Sequence, residues 1–246
     1  IFLVTLFILK KEKVDREAFK RNLPLLILSG VAMGINWIFL FNAFALTSIS
    51  MATLAYYLAP IFVMVGATVL LKERLTAVKV MAVLAAMIGM VLVNGTDMGG
   101  VNPAMGLASG VLAAVFYASV TLINKFVHGL KGLEITIVQL LAATPVALIA
   151  TIFTHQGPVT LPGGKAFLAL LVLGVIHTGV CLFLYFSAIQ KLPGQTVALL
   201  SYLDPGSALF FAAIFLHEKM VFVQILGAQL ILGGAAFGEL FKKKKV

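Results

Sequence analysis

The chain has 246 residues, of which 61% are hydrophobic and 11% charged, and its formal net charge is +9 at pH 7. Soluble globular proteins carry about 45–50% apolar and about 25% charged residues, so this composition excludes a soluble domain and predicts a multispanning membrane protein. The basic residues lie in short clusters between apolar runs, which indicates signals of membrane topology rather than a surface for nucleic acid.

Apolar runs predict eight full membrane spans after a shorter apolar start. The segment Ile1–Lys10 is too short to cross a bilayer, which needs about 20 residues, and we interpret it as the end of a helix whose beginning is absent from the sequence. The loops between the spans are short and leave no room for a soluble domain. The predicted spans are Leu23–Ala45, Met51–Leu71, Val78–Val93, Ala104–Asn124, Ile135–Phe153, Ala166–Ile189, Thr196–Leu216 and Val221–Phe241.

The basic residues predict the orientation of these spans. With the segment Lys10–Arg21 in the cytoplasm, sixteen of the 18 Lys and Arg residues fall on the cytoplasmic side, and only Lys165 and Lys219 fall outside. Such an excess is typical of cytoplasmic loops. We therefore expect an integral protein of a bacterial plasma membrane whose C-terminus, with a basic tail at residues 242–246, lies in the cytoplasm.

An internal repeat relates two parts of the chain at an offset of 145 residues. Tyr57 corresponds to Tyr202 and Pro60 to Pro205, so that the pattern YLxP…LxE occurs twice at equal spacing. The repeat unit holds five spans, and an odd number inverts the second copy relative to the first, as in many secondary transporters. We predict an N-terminally incomplete first repeat at residues 1–95 and an inverted second repeat at 102–241.

The segments YLAPIFVMVGATVLLKERLT and YLDPGSALFFAAIFLHEKMV, within this five-plus-five repeat, resemble the EamA-type exporters of the drug/metabolite transporter (DMT) superfamily. In that family a proline lies in the fourth helix of each repeat and a glutamate closes it. The resemblance covers the whole chain. It implies an all-α polytopic membrane protein, an inverted-repeat bundle of ten helices in the parent, with the first and most of the second missing from this sequence. It also implies a central cavity and export of small metabolites, amino acids or drugs.

Two prolines are predicted to interrupt their helices at repeat-equivalent places. Pro60 frees the backbone carbonyl of Tyr56, and Pro205 frees that of Ser201, because proline has no N–H to donate. Gly206 softens the second interruption. In a bilayer, such breaks are tolerated where they face protein or a water-filled cavity. We interpret Pro60, Pro205 and Gly206 as hinges, with a static packing kink as the alternative.

Asp204 is an acidic residue well inside a predicted span. A charge at the bilayer midplane costs at least about 2.5–3.5 kcal/mol, so we expect its side chain to face the protein interior. Three roles stay open: carrying a coupling proton, binding a cationic or amino group of the substrate, or acting as a neutral structural acid bonded to the Ser201 carbonyl or nearby hydroxyls. The first repeat has Ala59 at the equivalent position. Glu73 and Glu218 stand at helix ends beside basic residues, where we expect interfacial anchors and ion pairs.

The other candidates are aromatic, amide and imidazole side chains. Trp37, the only tryptophan, lies mid-span rather than at the interface where tryptophan usually lies, which fits cavity lining or helix packing. His177 fits a hydrogen-bonded structural group or a proton relay. The candidates for substrate binding or coupling are Asp204, Ser201, Tyr202, Tyr57, Trp37, His177, Tyr117 and Asn36.

No metal or cofactor site is expected. His177 and Cys181 belong to no metal-ligand spacing, and no phosphate-binding loop occurs, so an ion gradient or the substrate's own gradient would supply the energy. We predict a secondary transporter, not an enzyme, that exports small molecules by alternating access. The alternatives are a passive channel or membrane scaffold and, less favoured, a membrane-embedded enzyme.

The expected partners are a small-molecule substrate and the lipid bilayer, and no nucleic acid. Pairs of glycines four residues apart let helices approach closely. They fit either a homodimer or packing within one protomer. The pairs are Gly30/Gly34, Gly106/Gly110 and Gly234/Gly238.

Overall fold

The computed structural model describes residues 15–95, 99–154, 162–215 and 221–240, and within these ranges it contains helices and turns but no strand. A π-helical segment, Leu173–Val180, continues α7 into α8. The all-α fold class is therefore confirmed. The helices are α1 (Arg16–Leu46), α2 (Ile49–Tyr56), α3 (Ala59–Leu70), α4 (Ala77–Asn94), α5 (Pro103–Asn124), α6 (Gly132–Thr154), α7 (Gly164–Val172), α8 (Cys181–Ile189), α9 (Gly194–Leu200), α10 (Leu203–Phe215) and α11 (Phe222–Leu240).

Six helical stretches in the described ranges are long and apolar enough to cross a membrane, and each coincides with a predicted span. The next predicted span consists of the two shorter helices α9 and α10, and α11 contains the shorter apolar stretch Phe222–Gly238. The apolar start at residues 1–10, Glu218, Lys219 and the basic tail lie outside the described residues. The six stretches are Arg16–Leu46, Ile49–Leu70, Ala77–Asn94, Pro103–Asn124, Gly132–Thr154 and Gly164–Ile189.

The first described helix begins earlier than hydropathy predicts. α1 starts at Arg16 rather than Leu23, so the expected loop is helical from residue 16 onward. Asp15 caps this start, because its Oδ1 accepts hydrogen bonds from two backbone amides of the first turn at 3.1 Å each. Asn22, which is buried, donates to the Ala18 carbonyl at 2.7 Å. Hydropathy missed this start because most of its residues are charged or polar, whereas the Asp15 cap and the packing of Asn22 stabilise it.

The described helices form two compact units, each with segments from both halves of the chain. Of the described residues, the first unit comprises 15–35, 123–154 and 162–192, and the second comprises 36–95, 99–122, 193–215 and 221–240. In the first unit, the buried side chains of Ser29, Asn124 and Gln139 form a hydrogen-bonded chain. Asn124 Nδ2 lies 3.0 Å from Ser29 Oγ, and Gln139 Nε2 lies 2.7 Å from Asn124 Oδ1. These bonds satisfy polar groups that would be costly to bury alone.

In the second unit, α4 and α11 approach closely through glycines. A Cβ at Gly89 would lie 2.5 Å from the carbonyl oxygen of Gly227, and a Cβ at Gly227 would lie 2.6 Å from that of Gly89. The adjacent apolar core includes Met90, Ile231 and the fully buried Tyr202. Since α10 also packs on α11, this core positions the interrupted helix that carries Asp204.

The predicted glycine pairs are engaged by packing within the chain. A Cβ at any of the six glycines would lie 2.5–2.8 Å from an atom of another segment of the same chain, closer than real Cβ contacts. Packing within one protomer therefore explains these pairs. They give no support to a homodimer.

Candidate functional site

Both predicted helix interruptions are present in the second unit. α2 ends at Tyr56 and α3 begins at Ala59, while α9 ends at Leu200 and α10 begins at Leu203. The turns between them contain the repeat-equivalent residues Tyr57 and Tyr202. Each interruption places backbone groups within the apolar stretch, where they need partners from the protein.

Proline alone does not account for these interruptions. Pro24 lies inside the continuous helix α1, and Pro145 lies inside the continuous helix α6. Pro60 and Pro205 instead occupy the first turns of α3 and α10, where the missing N–H removes no helical hydrogen bond. The interruptions therefore depend also on the residues that surround the turns.

The hydroxyl of Tyr202 provides one such partner. It donates to the backbone carbonyl oxygen of Tyr57 at 3.3 Å, and the Tyr202 side chain is fully buried. This carbonyl is one residue later than the predicted Tyr56 carbonyl, because the chain turns at Tyr57. At the other interruption, the Ser201 hydroxyl donates to the carbonyl of Val197 at 2.9 Å, within its own helical turn.

The hydroxyl of Tyr57 bonds in turn to the other interruption, but to a side chain rather than to a backbone carbonyl. It donates to Oδ2 of Asp204 at 2.7 Å. The two repeat-equivalent tyrosines thus connect the two interruptions in both directions, one to a backbone carbonyl and one to a carboxylate. The difference follows from the sequence, because the first repeat has Ala59 where the second has Asp204.

Asp204 is exposed, in contrast to the expected inward-facing position. It lies in the first turn of α10, where the helix dipole favours a negative charge. Its side chain bonds to the Tyr57 hydroxyl and not to the Ser201 carbonyl, and no Lys, Arg or His of the described ranges forms an ion pair with it. The carboxylate is therefore oriented but not neutralised.

Two further tyrosines pack next to Tyr57. The ring of Tyr56 packs edge-on against Tyr57, with centroids 6.3 Å apart, and against Tyr117, with centroids 5.7 Å apart. Asn36 donates to the Ala113 carbonyl at 2.6 Å and interacts with the Tyr56 side chain. The sequence analysis missed Tyr56, although its position beside Tyr57 in an apolar run was a signal.

An apolar cavity of about 230 Å³ lies beside Tyr57. Leu54 and Leu58 line it near the first interruption, and Met87 and Met90 line it from α4. Tyr57 therefore lines this cavity and also bonds to Asp204 through its hydroxyl.

Two other predicted candidates make no hydrogen bond to a described residue. His177 belongs to the first unit, where it is exposed in the π-helical segment and hydrogen-bonds to no described residue, so the expected structural hydrogen bond is absent there. Trp37 is half-buried on α1 and makes no hydrogen bond within the described part of the chain. Ser201 and Asp204 have the separate partners given above, and no three His, Cys, Asp or Glu side chains of the described residues come together as metal ligands.

Glu73 has a role that the sequence analysis did not predict. Its Oε1 and Oε2 accept hydrogen bonds from the amides of Gly194 and Gln195, at 2.6 and 3.0 Å. It therefore caps α9, and the expected ion pairs with Lys72 or Arg74 are not formed. Gln195 also bonds to α4, because its Oε1 accepts a hydrogen bond from Lys79 Nζ at 2.7 Å.

Comparison with known proteins assigns the chain to a family. The model of the EamA-like transporter family matches residues 1–95 and 104–238. The chain belongs to this family. The EamA-family protein is accordingly a membrane transporter, and the resemblance noted in the sequence is confirmed.

Several relatives of this EamA-family protein are named as transporters. An uncharacterized transporter, YxxF, of Bacillus subtilis is 29% identical over 222 residues, which cover 88% of this chain and 70% of YxxF. The protein PecM of Dickeya dadantii is 26% identical over 240 residues, which cover 92% of this chain and 80% of PecM. A solved crystal structure with 19% identity matches 98% of this chain and 84% of its own, with a TM-score of 0.84, and is similar in fold.

Proposed function

We propose that this EamA-family protein is a secondary transporter that exports small metabolites, amino acids or drugs by alternating access. The observation that carries the proposal is the pair of interrupted helices whose tyrosines bond to each other's interruption. In inverted-repeat transporters, discontinuous helices meet at the substrate site near the membrane midplane. The cavity beside Tyr57 supplies space next to these interruptions.

The proposed cycle uses the interruptions as hinges. The segments that carry Pro60 and Pro205 pivot in opposite senses, because the repeats at residues 1–95 and 102–241 are inverted. The bond from Tyr202 to the Tyr57 carbonyl and the bond from Tyr57 to Asp204 are the connections that change partners during the pivot. The substrate enters from the cytoplasm, the side on which we also place the C-terminus in a bacterial plasma membrane. A proton gradient is the first driving force to test.

The test compares proline variants in proteoliposomes loaded with a panel of metabolites, amino acids and drugs, with an imposed pH gradient and without ATP. We expect saturable transport by the native protein. Pro60→Ala and Pro205→Ala each add a backbone N–H that can bond across the interruption and join the two short helices. Both variants should therefore slow turnover about tenfold or more while substrate affinity stays, since a tenfold slowing is about 1.4 kcal/mol of barrier. Pro145→Ala is the matched control, because Pro145 lies in a continuous helix.

Other outcomes distinguish the alternatives. Flux far above carrier turnover, without saturation, indicates a channel and contradicts alternating access. Native protein that moves no solute of the panel under any gradient supports a scaffold. Equal slowing by Pro145→Ala and Pro205→Ala would show that the interruptions are not the hinges.

A further inference from the structure

Asp204 combines an oriented carboxylate with the lack of a cationic partner among the described residues. Its Oδ2 accepts the Tyr57 hydroxyl at 2.7 Å. A hydroxyl fixes the direction of a carboxylate but supplies no positive charge, and acidic groups within membrane spans commonly pair with a cation. A cation bound from outside the protein would supply that charge.

The exposure of Asp204 separates the three roles considered from the sequence. A structural acid would be enclosed and fully hydrogen-bonded, whereas this side chain is exposed and has one protein partner to its carboxylate. An exposed, oriented carboxylate is accessible to an ion that arrives from outside the protein. The geometry thus favours binding over a purely structural role.

Aromatic rings beside the carboxylate favour an organic cation over a metal ion. Tyr57, which bonds to the carboxylate, packs edge-on against Tyr56, and Tyr56 packs edge-on against Tyr117. The faces of aromatic rings attract ammonium groups. A hard metal cation would need several oxygen ligands, and the described residues gather no such group around Asp204.

The cavity beside Tyr57 fits the rest of such a ligand. It measures about 230 Å³, and apart from Tyr57 its lining is leucine, methionine, alanine and valine. An apolar wall next to a few polar groups is typical of small-molecule sites. A ligand with a positive head and a small hydrocarbon body matches both features at once.

We propose that Asp204 and Tyr57 bind an organic ammonium ion, primary or quaternary, whose apolar substituent occupies the cavity lined by Leu54 and Met87. As a statement about the transported substrate, this rests on the function proposed above. The equivalent position of the first repeat offers no carboxylate, because it is occupied by Ala59.

The test measures binding separately from transport. Purified protein in nanodiscs of uncharged phosphatidylcholine is titrated at neutral pH with benzylammonium, benzyltrimethylammonium and the neutral benzyl alcohol. Both cations should bind at least about tenfold more tightly than the alcohol, a difference that corresponds to about 1.4 kcal/mol. Asp204→Asn should remove this preference, and Asp204→Glu should retain it. Tyr57→Phe should weaken both cations several-fold, while Gly233→Ala, at an open position of α11, serves as the unchanged control.

Each contrary result has a defined meaning. Equal affinity of the native protein for the cations and the alcohol overturns the site, and this comparison needs no variant, so a misfolded Asp204→Asn does not weaken the test. Retained cation preference in a folded Asp204→Asn also overturns it. Cation binding without transport supports the proposed site and contradicts the proposed transporter cycle. If the protein transports other solutes, Asp204→Asn does not change that transport and no cation binds, the transporter proposal stands and the cation site is overturned.

Discussion

The two repeat-equivalent tyrosines have different roles, because the first repeat has Ala59 where the second has Asp204. Tyr202 bonds to a backbone carbonyl inside the core, whereas Tyr57 bonds to the exposed Asp204. The sequence predicted both tyrosines as candidates because the repeat aligns them, and the acid because it lies well inside a predicted span. It did not predict their partners, since the bonded residues are 145 and 147 positions apart and only the folded chain brings them together.

Removing each hydroxyl should therefore have different effects on stability. Tyr202→Phe leaves a carbonyl without its donor in the core, which should cost about 1–2 kcal/mol and lower the thermal unfolding midpoint in detergent. Tyr57→Phe removes a bond to an exposed carboxylate that water can replace, and should lower the free energy of unfolding by less than about 0.5 kcal/mol. Equal destabilisation by the two variants would contradict this distinction.

At the scale of elements, the short helices α2 and α9 begin in different ways. α2 is capped by its own Ser48, whose Oγ accepts from the Met51 amide at 3.2 Å. α9 follows Pro193, which has no side-chain acceptor, and takes Glu73 as its cap. Its neighbours Lys72 and Arg74 pointed the sequence analysis to an ion pair, whereas the actual partner is 121 residues away.

Loss of the Glu73 cap should loosen α9 specifically. Glu73→Ala should cost about 1–2 kcal/mol and raise the hydrogen–deuterium exchange rate of the Gly194 and Gln195 amides. Ser48→Ala is the matched control, which should raise exchange at Met51 and leave those two amides protected. Unchanged exchange at Gly194 in Glu73→Ala would show that the cap is not required.

The contact between α4 and α11 provides a second prediction at this scale. Gly227→Ala forces a Cβ to within 2.6 Å of the Gly89 carbonyl oxygen, and such overpacking should cost about 1–3 kcal/mol. Gly233→Ala on the same helix meets no atom within 4 Å and should be neutral or stabilising by up to about 1 kcal/mol. The midpoints of thermal unfolding of the two purified variants check this order.

At the scale of the whole molecule, composition and repeated pattern predicted the all-α membrane class and the family. Hydropathy placed the six long apolar stretches because each is apolar on most sides. It could not place the capped start at Asp15, nor the π-helical segment within Gly164–Ile189, because both depend on backbone hydrogen bonding rather than on hydrophobicity.

The orientation of the protein in the membrane can be tested on the stretch Gly164–Ile189. Lys165 and Lys191 are exposed and flank opposite ends of the stretch Gly164–Ile189. In a Cys181→Ala background, Lys165→Cys should react with a membrane-impermeant maleimide on intact cells, and Lys191→Cys only after permeabilisation, as the excess of cytoplasmic basic residues requires. The reverse labelling pattern would invert the topology and the proposed direction of transport.

The capping of α9 by Glu73 has a consequence for how the protein is made. Glu73 is synthesised before Gly194 and Gln195, so its carboxylate is present in the chain before the two amides that donate to it. Until α9 lies beside the end of α3, its first amides lack their protein partner. The capped form of α9 therefore requires that both parts of the second unit have been synthesised.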